Sequence, residues 1–112
     1  MNDKPKFVAF RDKRLEDAFE KLKEGKFQDK KLYEQINEAR KKIKDDPSCA
    51  IKVPKRLWPK LYIKTYGITN LWKYDLPSGW RLIYTIKTDE VMILSIILEW
   101  MTHKEYERRF NY

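Results

Sequence analysis

The chain has 112 residues, a formal net charge of +8, 38% charged residues and a large aromatic content of four tryptophans, seven tyrosines and five phenylalanines. That is enough for one domain spanning residues 1–112, with a single modest core and a densely polar surface, and its charge predicts attraction to a polyanion such as nucleic acid or to an acidic protein. Cys49 is the only cysteine, which excludes an intramolecular disulfide and a multi-cysteine zinc site and makes a reducing cytoplasm the simplest setting.

Residues Met1–Lys6 are polar, so no signal peptide is expected, and the apolar run Val91–Leu98 is too short to span a bilayer. The first apolar cluster, Phe7, Val8, Ala9 and Phe10, predicts a short edge strand. From Asp12, Leu15, Ala18, Phe19 and Leu22 recur at helical spacing until Gly25 stops the pattern. A second helix is predicted from about Asp29 to Lys44, burying Leu32, Ile36, Ala39 and Ile43, and ended by Asp45, Asp46 and Pro47. The two form a helical hairpin whose interleaved lysines and glutamates read as a solvated face.

Between Pro47 and Tyr74 there is no Asp or Glu, while Lys52, Lys55, Arg56, Lys60, Lys64 and Lys73 all fall there. Pro54, Pro59 and Gly67 point to an ordered loop or a short helical turn. Cations interleaved with Trp58, Tyr62 and Tyr66 suit a polynucleotide, because they neutralise phosphates while rings stack on splayed bases. Lys52, Lys55, Arg56, Lys60, Lys64 and Trp58 are therefore candidate nucleic-acid-binding residues, and RNA-binding ones if the polynucleotide is RNA. The alternative is that Trp58 and Tyr62 are core and the lysines merely solvated.

The stretch Asn70–Tyr84, NLWKYDLPSGWRLIY, reads as a β-hairpin. Pro77 suits a turn position with φ near −65° and Gly79 one with positive φ, which predicts a three-residue loop with a glycine bulge. In that register Leu76 pairs with Trp80 and Asp75 with Arg81. Trp72, Tyr74, Leu76, Trp80, Leu82 and Tyr84 then share one buried face. Lys73, Asp75, Arg81, Ile83 and Thr85 share the other, less apolar one. A guanidinium in mid-sheet needs either a structural pairing with Asp75 or an anionic ligand.

Beyond a polar turn at Lys87–Glu90, Val91–Leu98 predicts a central strand covered on both faces, with Glu99 and Trp100 leading out of it. Thr102 and Glu105 form a capping box that starts a final helix, with Arg108 and Arg109 in its last turn. His103 and Tyr106, one turn apart, project from the same side and are able to converge on the Arg81 face. A capping or surface role is the plainer reading of His103.

The order short strand, helical hairpin and three sequential strands, with Trp-Arg-Leu-Ile-Tyr at 80–84 and His-Lys-Glu-Tyr at 103–106, resembles the RelE/ParE superfamily of toxin proteins over about residues 6–110. The resemblance implies an α+β fold: a short N-terminal strand, a helical hairpin, antiparallel strands of a small twisted sheet and a short C-terminal helix. It also implies a cytoplasmic toxin of a type II toxin-antitoxin system that cleaves mRNA at the ribosome, bound by a cognate antitoxin. Such enzymes need no metal or cofactor, since the RNA 2′-hydroxyl attacks the adjacent phosphate to give a 2′,3′-cyclic phosphate.

In that frame Arg81 matches the phosphate-binding arginine, His103 is the candidate for proton transfer, Tyr106 for stacking on a base or orienting the phosphate, and Lys73 for a second positive charge. RelE proper carries two lysines spaced two apart before the arginine. Here Trp72 and Tyr74 stand there, with only Lys73 between them. YoeB-like relatives use a glutamate base, a part open to Asp75 or Glu99. The ParE branch instead binds DNA gyrase, and a catalytically inactive RNA-binding or partner-binding module on the same scaffold is a third reading.

Overall fold

Two long apolar segments become the centre of the sheet: β4 (Trp80–Thr88) and β5 (Ile93–Thr102), paired antiparallel. The computed structural model describes residues 4–110, so half of the polar stretch Met1–Lys6 lies outside the described residues. The other strands are β1 (Lys6–Phe10), β2 (Ile51–Lys52) and β3 (Trp72–Asp75), and the order across the sheet is β1-β5-β4-β3-β2. Strands β2 to β5 are antiparallel as expected, but β1 runs parallel to β5, with Lys6 opposite Ile93. The sheet is therefore mixed, which the long helical excursion after β1 makes possible.

That excursion is the predicted hairpin, α1 (Lys13–Lys21) and α2 (Phe27–Asp45). Asp12 caps α1 by accepting the Leu15 N–H at 2.9 Å, and Asp29 reaches back to the Lys26 N–H at 3.1 Å, so α2 starts two residues earlier than periodicity indicates. Leu32, Ile36, Ala39 and Ile43 are buried against Leu82, Tyr84 and Ile97 of the sheet and Leu76 of the hairpin loop, together with Leu15 and Phe19. Ala18, by contrast, faces solvent. Truncating Ile36 to Ala in this layer costs about 2–5 kcal/mol through lost burial and the cavity left behind.

The opposite face is not the less apolar one that the strand pattern indicates. Ile83, Leu98 and Met101 join Tyr62, Leu71, Tyr106 and Phe110 in a second core. The cover comes from α3 (Lys60–Tyr66) and α4 (His103–Arg109). Of the ordered loop and the short helical turn expected here, the structure has a helix, two turns long: α3 begins after Pro59 and ends at Gly67, whose φ of 57° only glycine adopts readily.

Strand β5 also runs four residues past its expected end, through Glu99 and Trp100. Its register against β4 shifts between Ile83 and Tyr84, which face Glu99 and Ile97, so that Leu98 is the extra residue of a bulge. The bulge reverses the alternation and turns Glu99 to the face of Arg81 and Tyr62. Among the described residues no helix is long and apolar enough to cross a membrane.

Candidate active site

The hairpin turn builds the site. Leu76 N–H donates to Trp80 O at 2.8 Å, Gly79 N–H donates to Leu76 O at 3.1 Å, and Gly79 has φ of 88°. This is the three-residue loop that Pro77 and Gly79 predict, and it sets Asp75 opposite Arg81. The carbonyl of Gly79 then does two things: it accepts the backbone N–H of His103 at 3.1 Å and Arg81 Nη1 at 3.2 Å. One turn carbonyl thus fixes the start of α4 beside the guanidinium.

Arg81 is shared among three kinds of partner. Its Nε lies 2.9 Å from Asp75 Oδ1, but the N–H is not directed at that oxygen, so this contact is an ion pair rather than an aligned hydrogen bond. Nη1 also reaches Trp80 O at 3.4 Å. Nη2 lies 2.8 Å from His103 Nδ1. A guanidinium has donors and no acceptor, so Nδ1 receives this hydrogen bond and carries no proton. The other imidazole nitrogen, Nε2, stands 3.2 Å from Glu107 Oε1.

Lys73 Nζ lies 3.3 Å from the same Asp75 oxygen that Arg81 approaches, and sits 5.3 Å from the centre of the Tyr106 ring. Two cations thus converge on one oxygen. The Arg81 side chain is only 15% exposed, but Asp75 at 43% and His103 at 54% open the cluster to water. Asp75 is therefore a clamp on two cations rather than an unengaged base. A groove of about 230 Å³ lined by Cys49, Ala50, Ile51, Lys73, Tyr74 and Asp75 adjoins it at the β2–β3 edge.

Two candidates lie elsewhere than expected. Tyr106 is 1% exposed and stacked on Phe110 with ring centres 4.2 Å apart, so it cannot stack on a base. The reason is periodic: Tyr106 and Phe110 are four apart and form the inward stripe of α4. Its ring instead supports the Lys73 ammonium. Glu99 shares the sheet face but not the site. Tyr62 donates its hydroxyl to Glu99, and Arg109 Nη1 lies 2.5 Å from the same carboxylate. Burial, reinforced by Glu99, holds the Tyr62 phenol well above the usual tyrosine range, and the bond to Glu99 raises Arg109 further.

The basic segment divides by residue type. Lys52, Lys55, Arg56, Lys60 and Lys64 are exposed. Trp58 is half-buried against the second core and its indole N–H donates to Val53 O at 2.8 Å, so it closes the loop rather than offering a stacking surface. Tyr62 is buried, and what α3 turns outward is Leu61 and Ile63.

Glu107 was not among the candidates, although its spacing of four from His103 on a predicted helix is a readable signal. Among the described residues no three His, Cys, Asp or Glu side chains are grouped closely enough to hold a metal ion. Compared with protein-family models, curated proteins and solved structures, the chain matches none.

Proposed function

We propose that this chain is a RelE/ParE-like toxin that cleaves mRNA as a metal-independent endoribonuclease, acts in the cytoplasm at the ribosome, and is held inactive by a cognate antitoxin. One observation carries the reading: the Arg81 guanidinium lies 2.8 Å from the bare Nδ1 of an exposed His103, while Lys73 and Arg81 converge on one oxygen of Asp75. An oxygen between two cations is the kind of environment that stabilises a phosphoryl oxygen, which supports this reading.

In this reading the scissile phosphate replaces Asp75 and takes the Arg81 hydrogen bond now spent on His103. The RNA 2′-hydroxyl gives its proton to His103 Nδ1 as the 2′-oxygen bonds to phosphorus. The bond from phosphorus to the 5′ oxygen breaks, and that oxygen takes a proton from water. Arg81 and Lys73 carry the extra negative charge on the phosphoryl oxygens. The test is inducible expression with mapping of cellular RNA 5′ ends. Reproducible new ends that vanish in Arg81→Ala are expected; growth arrest without new ends overturns the ribonuclease reading.

A second reading is a ParE-like toxin that binds a protein such as DNA gyrase. What favours it is the outward surface of α3, which joins Lys60 and Lys64 to the exposed aliphatic residues Leu61 and Ile63 while the rings of the segment turn inward. Aliphatic side chains among cations suit an acidic protein surface better than stacked bases. Undiminished growth inhibition by a folded Arg81→Ala, His103→Ala double variant is its signature.

A further inference from the structure

We propose that Glu107 is a positioning residue for His103, fixing the imidazole with its proton on Nε2 and its lone pair on Nδ1 turned toward the phosphate site. This deepens the ribonuclease reading and rests on it. Each nitrogen of the ring faces a different partner, and the two together favour one tautomer. Arg81 Nη2, at 2.8 Å, only donates, so Nδ1 accepts; Glu107 Oε1, which only accepts, stands 3.2 Å from Nε2, at ion-pair distance from the nitrogen left to carry the proton.

The backbone that carries this pair is pinned at both ends of the first turn. His103 N–H donates to Gly79 O at 3.1 Å, and Glu105 N–H donates to the Thr102 hydroxyl at 3.2 Å. Side chains four apart on that turn share one face, so Glu107 approaches the ring from the side away from Arg81. When the 2′-oxygen bonds to phosphorus and its proton moves to Nδ1, the ring becomes an imidazolium between Arg81 and Glu107. The carboxylate offsets the charge the arginine opposes. Arg81 is itself paired with Asp75, which Lys73 also approaches, and Lys104 follows His103 in the chain.

The chain contains one histidine, so its ring nitrogens give one set of ¹⁵N signals. The experiment compares the parent, Glu107→Ala and Glu107→Gln, by those spectra and by cleavage of a defined mRNA on ribosomes. The parent is expected to show a single form protonated at Nε2. In Glu107→Ala that signal gives way to a mixture and kcat falls about tenfold with KM unchanged, while Glu107→Gln, whose amide oxygen still accepts from Nε2–H, recovers most of the rate. Unchanged nitrogen signals in Glu107→Ala, or altered signals with an unchanged kcat, overturn the proposal. A parent that cleaves no RNA overturns the ribonuclease reading itself, and the spectra alone then decide whether Glu107 holds the ring.

Discussion

Two clusters on the same face of the sheet are built from similar parts and differ in what surrounds them. Around Arg81, the carboxylate of Asp75, the ammonium of Lys73 and the imidazole of His103 meet at the rim, where Asp75 and His103 remain open to water. Around Glu99, the guanidinium of Arg109 and the phenol of Tyr62 close on one carboxylate over a buried ring. Both pair a guanidinium with a carboxylate and a ring that can carry a proton. The first stays open to water; the second ties α3 and α4 to β5. Composition of a polar cluster therefore says less about chemistry than the solvent access of its members.

The comparison breaks most sharply with Arg81→Ala. The variant should stay folded, because the released Asp75 carboxylate is already in contact with water. It should lose cleavage by roughly 10²–10³-fold, as when one donor to a developing oxyanion is removed. Cleavage assays beside a thermal melt check both halves. Tyr62→Phe should do the reverse, lowering stability by about 2 kcal/mol through the lost bond to a charged acceptor while cleavage stays at the parent level.

Tyr62 also sets an alkaline limit. Its folded-state pKa is raised, so its contribution is whole below the unfolded tyrosine value of about 10 and declines as pH climbs above it. Tyr84 is raised in the same direction by burial, so Tyr62→Phe should shallow the alkaline unfolding limb without flattening it. Denaturant titrations across pH 9–11, a window chosen around that value, measure this.

Thr102→Ala should cost about 1 kcal/mol and loosen the first turn of α4, read as faster hydrogen exchange there. Glu105, whose carboxyl is held below the usual range by the Thr102 N–H and hydroxyl, supports that turn above the unfolded glutamate value. The support fades as pH falls through its lowered one. Smallest of all, Lys60→Glu with Lys64→Glu should weaken RNA affinity several-fold and reduce the salt slope by about two if RNA follows α3. Unaltered RNA affinity sharpens the case for a protein ligand on that surface.

What was legible in the sequence was local. Pro77 and Gly79 define the loop, the loop sets the register, and the register delivers Asp75 opposite Arg81. The capping box at Thr102 and Glu105 likewise starts α4 where the residues indicate and carries His103 to Arg81. Less legible was anything decided by the far side of the sheet. The bulge at Leu98, which turns Glu99 over, depends on pairing with a strand more than ten residues away. The inward role of Tyr106 follows from Phe110, and the helical run 60–66 from Pro59 and Gly67 at its ends. Those signals stand in the sequence, but burial against partners remote in the chain decided them.

Whether Arg81 holds a phosphate that His103 helps to break is written in the ends of the RNA fragments. Purified protein is incubated with ribosomes carrying a defined mRNA, and the 3′ ends of the fragments are analysed. The parent chain should leave 2′,3′-cyclic phosphate ends, and these should disappear with Arg81→Ala. Equal amounts of such ends from both proteins would contradict that role for Arg81.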